Sequence, residues 1–319
     1  GGAEEVMRIA ILGSGAMGCL YGGLLADAGF PVTLIDVWKE HIETINRQGL
    51  RIEGVGGGRV ISGIRGVTDP EDAGTADLLI VFVKATMTRT AISQTMPVVG
   101  PDTTVMTLQN GLGNVEALSD VAGAHRVVAG VTGHGSTLVG PGVIRHAGQG
   151  DTIIGEASGV ISERTEAIAD VLRKAGFAVS VSDNVMGLIW GKLLVNVGIN
   201  ALTAITGLKN GRLVDFPETN ELLALAIEEA VAVATKKGVR VNVAEPVRHT
   251  REIAKKTAGN RSSMLQDVCR HRQTEISVIN GAIVEEGRRL GVPTPVNAVL
   301  ANLVAVREKT YDESEFALL

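Results

Sequence analysis

The chain has 319 residues, about twice the size of a single domain, so two domains are expected. Thirty Lys and Arg against 35 Asp and Glu leave a net charge of −5 with no basic stripe or tail, which argues against nucleic acid as a partner. A 45% hydrophobic content with only 3% aromatics leaves core packing to Ala, Val, Ile and Leu, and 40 glycines without a collagen-like period suit an α/β protein with many strand-to-helix corners.

The opening Gly1–Glu5 lacks the basic start and apolar stretch of a secretory signal and is left out of the fold reading. Arg8–Leu12 is a short apolar run that stops at a glycine, as a buried parallel strand does. A helix is predicted from about Ala16 to Ala28, ended by Gly29, and a second strand over Val32–Asp36. Strand, glycine turn, helix and strand within about thirty residues make a βαβ unit. Further buried strands are read at Leu78–Val83 and Thr104–Leu108, so the pattern is that of a doubly wound sheet. Between Val127 and Glu156 short β-like pieces alternate with glycines and predict antiparallel hairpins added to that sheet. A helix at Glu163–Ala175 and a strand at Ala178–Val181 complete a first domain over residues 7–182.

Residues 183–319 read as an all-α domain. Val185–Thr206 is almost wholly apolar, the mark of a helix buried on most sides. Helices follow at about Glu218–Lys237, Glu245–Thr257, Ser263–Cys269, Glu275–Leu290 and Pro295–Thr310, each bounded by glycine, proline or capping residues.

Gly13-Ser14-Gly15-Ala16-Met17-Gly18 is G-x-G-x-x-G, placed directly after the first strand and opening the first helix. The first glycine allows the tight turn, the second lets backbone approach a pyrophosphate, and the third lets helix and strand pack closely. The helix N-terminus presents free N–H groups and a positive dipole end to phosphates. Asp36, at the end of the next strand, can accept hydrogen bonds from both hydroxyls of an adenosine ribose. Together these residues predict a nicotinamide dinucleotide site.

Lys192, Asn196 and Asn200 are spaced i, i+4, i+8 and share one face of the Val185–Thr206 helix, among Leu193, Leu194, Val195, Val197 and Ile199. Polar groups set in an apolar helix need partners, which a ligand with a carbonyl and a carboxylate supplies. Reducing a ketone needs a hydride at carbon and a proton at the developing alkoxide. A lysine ammonium can give that proton and stabilise the oxyanion beforehand. The bland alternative is a snorkelling lysine with two packing asparagines.

These segments resemble the ketopantoate reductase (2-dehydropantoate 2-reductase) family along nearly the whole chain. The resemblance is carried by Gly13–Gly18, by Val83-Lys84-Ala85, by Leu108–Gly113, by Trp190–Thr203, and by Asn260–Asp267 with Thr274-Glu275-Ile276. It implies a Rossmann domain, then a helical domain of the 6-phosphogluconate-dehydrogenase type, with the active site in the cleft between. It implies further that Lys192 and Glu275 are catalytic, and that Asn110, Asn196, Asn200, Asn210 and Ser263 contact the substrate. Lys84 and Asn110, at the carboxyl ends of strands, would meet the nicotinamide ribose end of the cofactor. Ser263 also reads as a helix N-cap with Gln266 completing a capping box, and turn chemistry alone explains Asn210 nearly as well. The family usually grips the adenosine 2′-phosphate of NADP with an arginine where Val37 stands here, so Asp36 and Val37 favour NAD(H) over NADP(H). Lys39 and Arg47 are the candidates for a displaced phosphate contact.

The expected activity is NAD(P)H-dependent reduction of 2-dehydropantoate to (R)-pantoate in pantothenate and coenzyme A biosynthesis. The alternatives are a dehydrogenase of another small 2-keto or 2-hydroxy acid on the same fold, and a non-catalytic NAD(H)-sensing protein. Sensors need no buried lysine–asparagine–glutamate set. Cys19 and Cys269 show no metal-ligand spacing and read as reduced thiols of a cytoplasmic protein. None of the six histidines forms a metal set, and His134 reads as a loop residue. No apolar run is read as approaching the ~20 residues of a membrane span. A homodimer is compatible with these readings.

Overall fold

A computed structural model describes residues 5–313, so Gly1–Glu4 and the last six residues of the 183–319 domain lie outside it. The described chain divides into two compact units. The first comprises residues up to Asn110 together with Asn114–Val185, and the second comprises Gly111–Gly113 and residues from Met186 onward.

In the first unit the elements run β1 (Ile9–Leu12), α1 (Ala16–Asp27), β2 (Val32–Ile35), α2 (Lys39–Gln48), β3 (Leu50–Gly54), β4 (Arg59–Ile61), β5 (Arg65–Val67) and β6 (Ala76–Val81). They continue with α3 (Thr88–Thr95), β7 (Val99–Thr107), α4 (Asn114–Ala122), β8 (Val127–Thr132), β9 (Gly135–Gly140), β10 (Val143–Gly148), β11 (Thr152–Glu156), α5 (Glu163–Lys174) and β12 (Val179–Val181). Eight strands form one sheet in the order β12-β11-β8-β7-β6-β1-β2-β5. All of its pairings are parallel except β8 with β11. The winding reverses between β1 and β6, and it is at the carboxyl ends of strands at such a reversal that open α/β sheets bind ligands.

Only part of the Val127–Glu156 segment joins this sheet, contrary to expectation. β11 pairs antiparallel with β8, but the β9–β10 hairpin belongs to a second, four-stranded sheet in the order β4-β3-β10-β9. The hairpin finds its partner in β3, whose Leu50 and Ile52 face inward in a period-2 pattern. The second sheet packs on α1. A Cβ at Gly23 would meet the Ile52 and Leu50 side chains at 2.9 Å, and one at Gly22 would meet Leu34 of the main sheet at 2.7 Å. Helix α1 thus lies between two sheets, which is why it is apolar nearly all round.

The second unit is helical: α6 (Val185–Thr206), α7 (Pro217–Lys237), α8 (Pro246–Lys256), α9 (Ser263–Cys269), α10 (Asn280–Leu290) and α11 (Pro295–Lys309). Trp190, Leu193, Leu194, Val197, Ile199 and Leu202 of α6 sit in its core with residues of α7, α10 and α11. By length and composition α6 is long and apolar enough to cross a membrane, which corrects the expectation that no run approaches that length; two-thirds of its most apolar stretch is buried in the unit.

The helix expected over Glu275–Leu290 is interrupted. Ile276–Val278 is a tight 3-10 turn, and Ile279 (φ −112, ψ −98) breaks the path before α10 begins. Side chains fasten both ends of the break. The Glu308 carboxylate accepts hydrogen bonds from the Thr274 amide and hydroxyl. Beyond the break, the Asn280 amide donates to the Val197 carbonyl of α6 (3.2 Å) and to Asn297 Oδ1 (3.0 Å).

Candidate functional site

The glycine loop of the first unit has the geometry its spacing requires. Gly13 has φ +93, and a Cβ there would lie 2.7 Å from the Val83 amide nitrogen, so no other residue fits. A Cβ at Gly18 would lie 1.9 Å from the Gly13 carbonyl oxygen. At Gly15 it would meet nothing within 4 Å. Gly15 is the N-cap of α1 and supplies no side-chain cap, so the helix end stays open toward that space. Gly15 is exposed and Ala16 and Met17 are half-buried, whereas Gly13, Ser14 and Gly18 are buried. This cradle fits a dinucleotide pyrophosphate, with Gly15–Met17 as the face it offers.

Asp36 follows β2 and is tied to the loop. Its Oδ2 accepts from the Ser14 amide (2.7 Å) and hydroxyl (3.0 Å), and its Oδ1 accepts from the Trp38 amide (2.9 Å). A carboxylate has about four acceptor positions. With three in use, Asp36 has room for one further hydroxyl, or for two if the Ser14 hydroxyl rotates away. Val37 is 88% exposed and carries no charge. Lys39 Nζ lies 3.8 Å from Glu43. A groove of about 420 Å³ is lined in part by Lys39, Glu43, Arg65 and Asp72, so its charges offset each other.

Lys84 and Asn110 sit after β6 and β7 of the first unit. Gln109 stitches these two ends together, a role absent from the sequence reading. Its amide donates to the Val83 carbonyl (2.6 Å) and to Thr88 Oγ1 (2.8 Å), and its Oε1 accepts from Thr107 (2.9 Å). Thr88 donates to Asn114 Oδ1 (2.8 Å), and the Asn114 amide holds the Asn110 carbonyl (3.0 Å). The i, i+4 pair Asn110 and Asn114 was the available signal. His134 lies in the loop between β8 and β9, as read, and is held there: its Nδ1 lies 3.0 Å from His146 Nε2 and its ring packs edge-on against Phe177.

In the second unit Lys192 is half-buried on α6, with Asn196 half-buried and Asn200 buried along the same helix. Burial lowers the Lys192 ammonium from 10.5 to about 8, against the opposing pull of the Glu275 carboxylate. Glu275 stands immediately before the 3-10 turn that interrupts the expected helix. Asn210 is buried. Its amide donates to Thr257 Oγ1 (3.0 Å), while its Oδ1 is buried without a hydrogen-bond partner. The Asn210 backbone amide also donates to the Asn260 carbonyl (3.0 Å), which joins this turn to the Asn260–Ser263 segment.

Ser262, not Ser263, caps α9. The Ser262 hydroxyl accepts from the Leu265 amide (3.0 Å) and bonds Thr203 Oγ1 of α6 (2.6 Å). Gln266 donates to the Arg261 carbonyl (3.2 Å) instead of completing a capping box. Ser263 is therefore relieved of the capping role and stands exposed. Among the described residues no group of three or more His, Cys, Asp and Glu is arranged to hold a metal ion.

An open glycine loop at a helix start in one unit and a lysine of lowered pKa in the other are features of a dinucleotide-dependent oxidoreductase, and the family matches below give the class as one acting on CH–OH groups. Comparison with known proteins narrows the class. The family model described as "Ketopantoate reductase PanE/ApbA" matches residues 9–159, and that of its C-terminal part matches residues 184–308. The chain belongs to the ketopantoate reductase family. The 2-dehydropantoate 2-reductase of Halobacterium salinarum is 37% identical over 95% of this chain and 99% of its own. The crystal structure of a PanE/ApbA family ketopantoate reductase from Ralstonia eutropha JMP134 superposes with TM-score 0.90 and 35% identity, covering 96% of this chain and all of that one. D-mandelate dehydrogenase, solved as a ternary complex with NADH and anilino(oxo)acetate, also superposes with TM-score 0.90, at 30% identity over 96% of this chain and all of its own.

Proposed function

We propose that this chain reduces 2-dehydropantoate to (R)-pantoate, a step of pantothenate and coenzyme A biosynthesis, with residues 7–182 holding the dinucleotide and residues 183–319 the substrate. The observation that carries the reading is Lys192, a half-buried ammonium whose pKa is pushed to about 8 beside Glu275. At that value it is mostly protonated at neutral pH, yet gives up its proton more readily than an ordinary lysine. A bound reduced nicotinamide dinucleotide supplies the hydride. Lys192 holds the carbonyl oxygen by a charged hydrogen bond and passes it a proton as the C=O becomes C–OH. Glu275 keeps the ammonium charged until then and meets the substrate. Asn196 and Asn200 continue the polar stripe, the unpartnered Asn210 Oδ1 accepts a substrate hydroxyl, and the exposed Ser263 hydroxyl faces the substrate carboxylate. Gly13–Gly18 and Asp36 hold the pyrophosphate and adenosine ribose, and Lys84 and Asn110 the nicotinamide ribose.

The cofactor is NADH in preference to NADPH. The Asp36 carboxylate would repel a 2′-phosphate, and the exposed Val37 offers no cation to offset it. We place the chain in the cytoplasm, in keeping with its free Cys19 and Cys269. A homodimer is the assembly to test by light scattering, since Val299, Leu303 and Val306 expose one apolar face of α11.

A second reading, reduction of a bulkier 2-keto acid, is supported by the fold likeness to D-mandelate dehydrogenase, at the same TM-score of 0.90 but lower identity. Oxidation of NADH by a panel containing 2-dehydropantoate, benzoylformate and small aliphatic 2-keto acids separates the two. We expect 2-dehydropantoate to give the highest kcat/KM. A higher value for benzoylformate makes the second reading correct, and no turnover with any member leaves NAD(H) sensing.

A further inference from the structure

His41 is fully buried on α2, in the unit that carries the glycine loop, and the chemistry above does not use it. Its two ring nitrogens meet different backbone groups. Nδ1 accepts from the Gly142 amide (2.8 Å), in the turn between β9 and β10. Nε2 lies 2.7 Å from the Ser14 carbonyl oxygen. An amide N–H can only donate and a carbonyl can only accept, so the ring is the neutral tautomer with its proton on Nε2. Burial, which lowers the pKa of His41, favours that neutral form.

The Ser14 carbonyl is one end of the Ser14–Gly15 peptide. In a planar trans peptide the C=O and the following N–H point in opposite directions. Drawing the carbonyl inward to His41, where the Cys19 thiol also donates to it (3.1 Å), therefore turns the Gly15 N–H outward. Outward is the open space at the uncapped start of α1. The amide of Ser14 itself is held by Asp36, so the residue is clamped at both ends. The clamp is stiff because His41 is itself fixed. Trp38 stacks on its ring (centroids 4.7 Å, 13° between planes), and the Gly142 turn is pressed onto α2, where an added Cβ would meet Thr44 at 2.8 Å.

We propose that His41 is a positioning residue for the dinucleotide: by holding the Ser14 carbonyl it aims the Gly15 amide at the pyrophosphate, and the second sheet sets its tautomer through Gly142. The assignment rests on the reading of Gly13–Gly18 as the dinucleotide loop. Two substitutions in the full-length chain isolate the contact. In His41→Gln the side-chain amide can still donate at the Nε2 position. In His41→Asn the side chain can still accept from Gly142 but falls short of Ser14.

The measurements are the Kd for NADH by fluorescence titration, kcat at saturating NADH, and Tm. We expect His41→Asn to weaken NADH about tenfold, roughly the loss of one well-placed hydrogen bond, with kcat changed less than about twofold. His41→Gln should bind within about threefold of the unaltered protein. Equal Kd values for the two variants, or an unchanged Kd in His41→Asn, overturn the proposal. So does loss of the fold in both, which would make His41 a determinant of folding and nothing more. Gly15→Ala serves as the control for the underlying reading: if it binds NADH as tightly as the unaltered protein, the loop assignment itself fails and His41 falls with it.

Discussion

On the proposed reading, the two units approach ligands by opposite means. The first uses backbone. Its glycine loop is shaped by contacts that admit no side chain at Gly13 and Gly18, and its nearby polar groups, Ser14, Trp38, Asp36 and His41, are tied to one another. The second uses side chains set in an apolar helix. There the Lys192 pKa has moved because the environment disfavours charge, and the Asn210 side-chain Oδ1 is buried without a partner. A phosphate has the same shape whatever it is attached to, so a rigid backbone cradle suffices for it. A proton donor must be tuned, and tuning needs a lysine held partly out of water.

The comparison breaks most directly at Lys192. Lys192→Ala is expected to lower kcat by about 10²–10⁴, the usual loss on removing a general acid, while NADH affinity stays within about twofold because the cradle is in the other unit. Steady-state kinetics alongside NADH titration tests this, and a parallel loss of NADH binding would erase the division of labour.

Within the cradle, two glycines should fail differently. Gly18→Ala forces a Cβ against the Gly13 carbonyl. It should lower Tm and weaken NADH by about tenfold to a hundredfold, the range of overpacking strain. Gly15→Ala meets nothing in the protein, so Tm should hold while NADH binding falls. Equal Tm losses in the two variants would mean that the space before Gly15 is not kept for a ligand.

A smaller effect is expected at the ribose end. Asp36→Ala combined with Val37→Arg should move the NADPH-to-NADH ratio of kcat/KM toward NADPH by about tenfold, or ~1.4 kcal/mol. NADH should also bind less well, since Asp36 anchors Ser14. Equal or better kcat/KM with NADPH in the unaltered protein would show that Asp36 does not read the ribose.

The smallest change concerns pH. Because Lys192 must be protonated to donate, kcat for reduction should be level below pH 7 and fall as pH rises through about 8. Glu275 holds the lysine pKa up, so Glu275→Gln should move the falling limb to lower pH. A limb that stays in place would mean that Glu275 acts on substrate alone.

Much of this was legible in the chain itself because the constraints are local. β1, α1 and β2 were readable since a G-x-G-x-x-G between two apolar runs leaves few alternatives, and α6 spans Val185–Thr206 as its run of apolar residues suggests. Lys192, Asn196 and Asn200 were visible as a stripe for the same reason: helical spacing is a property of neighbours in sequence.

Contacts between distant segments were not legible. The β9–β10 hairpin carries edge groups that any strand could satisfy, and only the folded unit shows that β3 does so. The sequence offered Ser263 as the cap, but Ser262 caps α9 and also bonds the Thr203 hydroxyl of α6, a partner 59 residues away. The break before α10 depends on Glu308, 34 residues from Thr274, and on Val197, 83 residues from Asn280. His41 shows no spacing signal at all, because its partners lie 27 and 101 residues away in opposite directions. Sequence alone determined where backbone could turn and which helix faces were polar, since sterics and periodicity act between neighbours. Which polar groups are satisfied, and how far a buried lysine departs from its ordinary pKa, was decided by tertiary structure, because hydrogen-bond partners and desolvation come from segments that meet only on folding.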